Sequence, residues 1–193
     1  MVYHWQYIKI PDSGYPTCHA ANLAILPNGQ LAVVYFSGAS EGSADSVNLL
    51  QHLQADGTWS QPQVVTSEVG RSAGNAVLMP VPDGRTLLFY TLSFSRESVT
   101  WADALIHYRV SDDNCRTWGP SRTVTEEFGY ICRQPGLILS SGEWLHRSMI
   151  IELVVDRAML GWAVTKVRLS SRTMTGNIGP GSGGCWYRTT LCD

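Results

Sequence analysis

The side chains able to do chemistry in this chain sit at the borders of apolar runs rather than inside them. Asp45 follows the first such run by a short polar loop, and Glu41 lies just ahead of it in the turn Ser40-Glu41-Gly42. A loop carboxylate can move with a substrate and be partly desolvated by it, so it can give or take a proton. Asp45 is a carboxylate of this kind, and Glu41 a neighbour that could line the same pocket or modulate it. The plainer reading of both is a solvated loop acid. His19 stands at the head of the first run, where it could hydrogen-bond a substrate or serve only the fold. Arg71 and Arg133 precede later runs and could clamp an anionic group in bidentate fashion, or form ordinary surface ion pairs. Asn75 could meet a substrate hydroxyl or amide. His52 and His107 lie within apolar runs and read as structural. No Gly-rich phosphate loop, Ser nucleophile elbow or metal-ligand cluster is present, so neither a cofactor nor a metal is expected.

The elements that must position these residues repeat. Ala21–Phe36, Asn75–Tyr90 and Pro135–Leu145 each read as an apolar run, a turn and a second apolar run. The turns carry Asn28-Gly29, Asp83-Gly84 and Ser141-Gly142, residues that accept the positive φ of a two-residue hairpin loop. The turn glycines recur at roughly 55 residues, a spacing that signals a repeat architecture. After each of the first two hairpins comes another strand, a tight turn and a Trp: Val47–Leu53 leads to Trp59, and Ala104–Val110 leads to Trp118. Each unit then holds about four short strands, and a four-stranded unit repeated radially is a propeller blade. The innermost strands of such blades line a central channel. His19, Arg71, Asn75 and Arg133 fall beside those strands.

Composition excludes other classes. Of 193 residues, 44% are hydrophobic and 16% charged, which rules out a disordered chain. The formal net charge is -2 and no basic cluster appears, so no nucleic-acid partner is expected. The 18 Gly, nine Pro and seven Trp suit a turn-rich all-β protein. Five Cys without C-x-x-C spacing support neither a disulfide framework nor zinc, and most read as buried thiols. Met1–Lys9 lacks the apolar run of a secretory leader, which points to the cytoplasm if that N-terminus is native. The longest apolar stretch, Met149–Val164, is broken by Glu152, Asp156 and Arg157, so no membrane span is expected.

Ser111-Asp112-Asp113-Asn114-Cys115-Arg116-Thr117-Trp118 resembles the Asp-box, Ser-x-Asp-x-Gly-x-Thr-Trp, with Cys115 where the box has Gly; Ala55–Trp59 is a shorter, degenerate copy. Its expected mechanics are an Asp that accepts turn N–H bonds and a Trp packed between strands. The phrases Cys18-His19-Ala20, Leu26-Pro27-Asn28-Gly29, Phe36-Ser37-Gly38 and Glu41-Gly42 with Asp45 resemble the first blade of the sialidase superfamily, in its bacterial BNR-repeat branch. Gly70-Arg71, Asn75 and Pro82–Arg85 continue the likeness into blade two, and Arg133-Gln134-Pro135 with Leu139–Trp144 into blade three. The resemblance implies a six-bladed propeller, here incomplete at about three four-stranded blades: about 5–68, 69–127 and 128–193. It also implies exo-α-sialidase-like hydrolysis of a terminal sialic acid or related acidic sugar, with Asp45 in the acid/base position. That family uses a Tyr nucleophile activated by Glu and an arginine clamp on the substrate carboxylate. The half carrying the nucleophile pair is missing here. Tyr130, Glu126 and Glu127 are present, but nothing in the sequence assigns them to that role. Ile8-Lys9-Ile10-Pro11 holds Lys where the family's first clamp arginine would stand, and reads as an accidental match. The alternatives are a non-catalytic carbohydrate-binding propeller and an inactive truncated fragment, whose open edges would invite self-association.

The likeness stops at about His146. In the shifted reading frame Met174-Thr175 gives Asp and Trp162-Ala163 gives Gly, and the codons around them can spell Asp-Asp-Asp-Gly, the material of another box. A frameshift near residue 146 is one account; a divergent third blade with strands at Leu153–Val155 and Ala163–Leu169 is the other.

Overall fold

A computed structural model describes residue 8, residues 16–66, 68, 70–94, 101–124, 126–138, 140, 144–154, 164–168, 173–176 and 188–190, the segments from 144 onward by their backbone course. The architecture is all-β. Strands β1 (Thr17–Ile25), β2 (Leu31–Gly38), β3 (Val47–His52) and β4 (Gln63–Thr66) form one antiparallel four-stranded sheet in chain order. Strands β5 (Ala73–Pro80), β6 (Thr86–Ser93), β7 (Ala104–Ser111) and β8 (Arg122–Thr123) form a second, with a 3-10 turn at Trp101–Asp103 before β7.

The third sheet holds six strands rather than the expected four: β9 (Tyr130–Cys132), β10 (Leu137–Ile138), β11 (Trp144–Val154), β12 (Val164–Arg168), β13 (Thr173–Gly176) and β14 (Arg188–Thr190). Its registers explain the difference. Ile150 pairs with Tyr130 on one side and Arg168 on the other, while Trp144 pairs with Ile138 and Gly176. The eleven-residue β11 thus runs between two broken lanes, β9 with β10 and β12 with β13. With β14 the sheet has four lanes, two of them split. Pro135, which has no N–H to give a ladder, sits in the first break. Strands β11 and β12 overlap the strands expected of a divergent blade; Val155, Ala163 and Leu169 lie outside the described residues, as do Lys9, Cys185 and Cys192.

The hairpin loops are longer by one residue than the two-residue turns expected. Leu26 N donates to Gln30 O at 2.8 Å and Gly29 N to Leu26 O at 2.8 Å; Val81 with Arg85 and Gly84 repeats the pattern at 2.9 and 3.1 Å. The three residues enclosed end on Gly29 (φ 82) and Gly84 (φ 89), the left-handed position that a three-residue loop reserves for glycine. Gly142 lies outside the described residues.

Alternation along the strands builds two inter-sheet cores. Leu26, Ala32, Val34, Leu50 and Val65 of the first sheet meet Ala76, Leu78, Leu88, Tyr90 and Leu92 of the second. The second sheet's other face, with Val77, Met79, Phe89, Ile106 and Tyr108, meets Tyr130 and Cys132 of the third. Polar ties cross the first seam: Leu78 N donates to Asn22 Oδ1 at 2.9 Å and Arg109 Nη1 to Val65 O at 2.6 Å. On the other face of the first sheet Val33, Tyr35, Val47 and Leu49 are buried with Ile8 and Trp59 against them, but the outermost of its positions differ. Leu23 pairs with Val33 as Leu78 pairs with Leu88, yet Leu23 is 57% exposed and Leu78 1%.

The segment Ser111–Trp118 forms a turn closed on Asp113. Asp113 Oδ1 accepts the Arg116 and Thr117 N–H groups at 3.0 and 2.9 Å and the Ser111 hydroxyl at 2.8 Å. Trp118 packs on the first inter-sheet core and Trp59 on the buried cluster of Val33, Tyr35, Val47 and Leu49 on the first sheet's other face. Cys115 is buried with φ 65, so its position keeps the left-handed backbone of the glycine it replaces.

Candidate functional site

The antiparallel order sends the candidate residues to one end. Thr17 pairs with Gly38, Ser37 with Val47, Asn48 with Thr66 and Ser93 with Ala104, so these strand ends share a side with the loop 39–46 and with residues 70–72 and 126–129. The turn Ser111–Trp118 and the hairpin loops at Leu26–Gln30 and Val81–Arg85 occupy the opposite end. Along this shared side the first strand of each early sheet carries a bulge. Ala20 (φ 55) lies in the register break between His19 and Asn22, and Asn75 (φ 49) in that between Gly74 and Val77. A left-handed non-glycine residue costs on the order of 1–2 kcal/mol. The same strain therefore recurs in both strands, and the third sheet breaks at the corresponding place, after Cys132, where Arg133 sits.

His19 and Glu41 are brought together. His19 Nε2 lies 3.9 Å from Glu41 Oε2, both side chains partly open to solvent, and the imidazole rests on Phe36 with ring centroids 4.6 Å apart. Asp45 closes the same loop on itself. Hydrogen bonding from Ser43, supported by the Ala39 N–H at 3.4 Å, holds its carboxyl below the usual range. An exposed, ionised Asp45 is ready to accept a proton; acting as an acid would require a ligand to desolvate it.

The other candidates stand apart from that pair. Arg71 turns its guanidinium over the Phe94 ring at 3.8 Å, a cation–π contact. Phe94 in turn meets the exposed Phe128 edge-on at 5.8 Å and stacks near His107 at 6.3 Å. Asn75 occupies its bulge, and Arg133 is exposed beyond β9. Among the described residues no salt bridge joins Arg71 or Arg133 to the acidic loop, and no group of three His, Cys, Asp or Glu is placed to hold a metal ion.

Two features escaped sequence reasoning. Tyr130 donates its hydroxyl to Glu127 Oε2 at 2.9 Å, but its ring belongs to the core between the second and third sheets. Trp101, in the 3-10 turn, lies against Gly74: a Cβ there would stand 3.0 Å from Trp101 Cη2 and 3.5 Å from Phe36 Cδ2. Nothing in the local pattern around residue 101 announces this, because the contact joins segments far apart in the chain.

Comparison with known proteins follows this geometry. The BNR repeat-like domain family matches residues 29–168. No curated protein matches. Among solved structures, a Hadza microbial sialidase superimposes with a TM-score of 0.59 at 12% identity, covering 86% of this chain and 35% of that one. A protein of unknown function from Dyadobacter fermentans gives 0.63 at 12% identity, covering 91% of this chain and 55% of that one. The chain thus spans about a third to a half of the length of these structures, and at this identity the likeness is one of fold: a sialidase-type propeller, incomplete.

Proposed function

This chain belongs to the BNR repeat-like domain family, and from that premise we propose that it forms part of an exo-α-sialidase-like glycoside hydrolase acting on a terminal sialic acid or a related acidic sugar. The observation that carries the reading is the meeting of His19 and Glu41 at 3.9 Å, beside the loop that holds Asp45 and at the strand ends shared by all the candidate residues. A sialidase among the structures of like fold agrees with it.

In this reading Asp45 is the acid/base at the glycosidic oxygen, and substrate contact desolvates it enough to carry a proton. Glu41 and His19 form the hydrogen-bonding flank beside it. Asn75 meets a hydroxyl or amide, while Arg71 and Arg133 attract the sugar carboxylate. Retaining hydrolysis also needs a nucleophile, which residues outside this chain would supply.

A second reading, a carbohydrate-binding propeller without turnover, is favoured by one observation: Asp45 is exposed and held ionised. One experiment separates the two. The chain is incubated with a fluorogenic aryl sialoside and azide, an external nucleophile that stands in for the group this chain does not supply, and binding of free N-acetylneuraminic acid is followed by calorimetry. Fluorophore release that Asp45→Asn abolishes supports hydrolysis. Binding without release supports the second reading. Neither release nor binding overturns both.

A further inference from the structure

The side where the strand ends gather the candidate residues, here called the mouth, holds an aromatic residue, Trp101, that the functional reading does not use. Trp101 opens the 3-10 turn between the second sheet's middle strands, and the turn is pinned on both sides. Ser93 Oγ donates to Asp103 Oδ1 at 2.9 Å, and the Gly129 N–H donates to Ala104 O at 3.0 Å. The indole is thereby set against the first strand of the second sheet at Gly74, directly before the strained Asn75. Phe36, almost fully buried, approaches the same glycine and also carries the His19 ring. Phe36 thus links the two: it touches the His19 ring and lies near the same Gly74 position that Trp101 approaches. Trp101 is only partly buried.

We propose that Trp101 is the stacking wall of this mouth and takes the apolar face of a pyranose ring whose polar groups meet His19, Glu41 and Asn75. The inference rests on the acidic-sugar reading above and adds to it a binding residue with a stated ligand chemistry. A rigid indole suits this contact, since it offers a large apolar surface with little conformational freedom to lose. Gly74 is part of the device: any side chain there would press on Trp101 Cη2, 3.0 Å from the nearest Cβ position, and tilt the ring.

The test is an NMR titration of the whole chain with N-acetylneuraminic acid. The Trp101 indole resonance is assigned by its loss in Trp101→Phe and the His19 imidazole resonance by its loss in His19→Gln. Both resonances should move with one dissociation constant. Trp101→Ala should weaken binding about tenfold, with Trp101→Phe and Gly74→Ala between it and the parent. Thermal melts identify any variant that fails to fold, and Trp101→Phe then carries the comparison. If His19 moves while Trp101 stays still, or the Trp101 variants bind as the parent does, the stacking wall is wrong and the sugar site survives. If neither resonance moves, the sugar site itself falls and the wall with it.

Discussion

Asp113 holds Thr117 twice: Oδ1 accepts its N–H at 2.9 Å and Oδ2 its hydroxyl at 2.6 Å. With Ser111 and Arg116 also donating, hydrogen bonding led by Thr117 lowers the Asp113 carboxyl far below its ordinary value. A depressed carboxyl stabilises the fold above its unfolded value, near 4, and loses that contribution as pH falls toward the folded value. Asp113→Ala should cost about 2 kcal/mol at pH 7, since several donors lose their acceptor. Asp113→Asn should cost about 1 kcal/mol and flatten the loss of stability below pH 4. Urea unfolding at pH 7 and pH 3 measures both; an unchanged acid slope in Asp113→Asn would show that other carboxylates carry it.

Cys115 tests the same turn from inside. Its left-handed backbone favours glycine, while its buried thiol fills the first inter-sheet core and is pushed up to about 12 by desolvation. In Cys115→Gly the relief of strain and the lost packing oppose each other, and stability should stay within about 1 kcal/mol of the parent. Cys115→Val keeps the bulk but places a β-branched residue at positive φ, and should cost about 2 kcal/mol or more. Equal stability of the two variants would mean that the backbone strain is negligible.

Thiol accessibility gives a further check. Cys18 is exposed, whereas Cys115 and Cys132 are buried and desolvation pushes the Cys132 thiol up to about 12 as well. Brief iodoacetamide treatment of the native chain should label Cys18 and spare the other two until urea is added. Early labelling of Cys132 would contradict the packing of the third sheet on the second.

Leu23 and Leu78 occupy matching places with opposite surroundings. Leu78→Ala should cost about 3 kcal/mol, the usual loss for emptying a core site. Leu23→Ala should cost less than about 1 kcal/mol. Chemical denaturation of the pair decides this, and similar losses would require a covering of Leu23 in solution.

His107 is buried, with Nδ1 3.2 Å from Ser121 Oγ and no partner for Nε2 among the described residues. Desolvation lowers its pKa; nearby Arg71 adds to this and Glu68 opposes it. The fold therefore prefers neutral His107, and that preference costs stability as pH falls below the unfolded value near 6.5. The urea midpoint should drop between pH 7.5 and pH 5, and less steeply in His107→Gln. Identical slopes would remove His107 from the account.

Much of the fold was legible because it is local. The turn glycines Gly29 and Gly84, the alternating apolar runs and the segment from Ser111 to Trp118 each act through neighbouring residues, and each gave its turn or strand, the hairpin loops one residue longer than expected. The third sheet was less so. Its broken lanes follow from how far β11 extends and what flanks it, which no single segment announces. Within the site, the positions of His19, Glu41 and Asp45 beside the first hairpin could be read from the chain, but their relations could not.

By itself the sequence determined the all-β class, the blade-like repeat and the set of polar residues that reach the strand ends, because periodicity and turn chemistry operate over a few residues. Only the tertiary structure decided that His19 meets Glu41, that Arg71 lies over Phe94 and that Trp101 presses on Gly74. Those contacts depend on how sheets and loops pack against one another, and packing brings together residues whose separation along the chain carries no trace of their meeting.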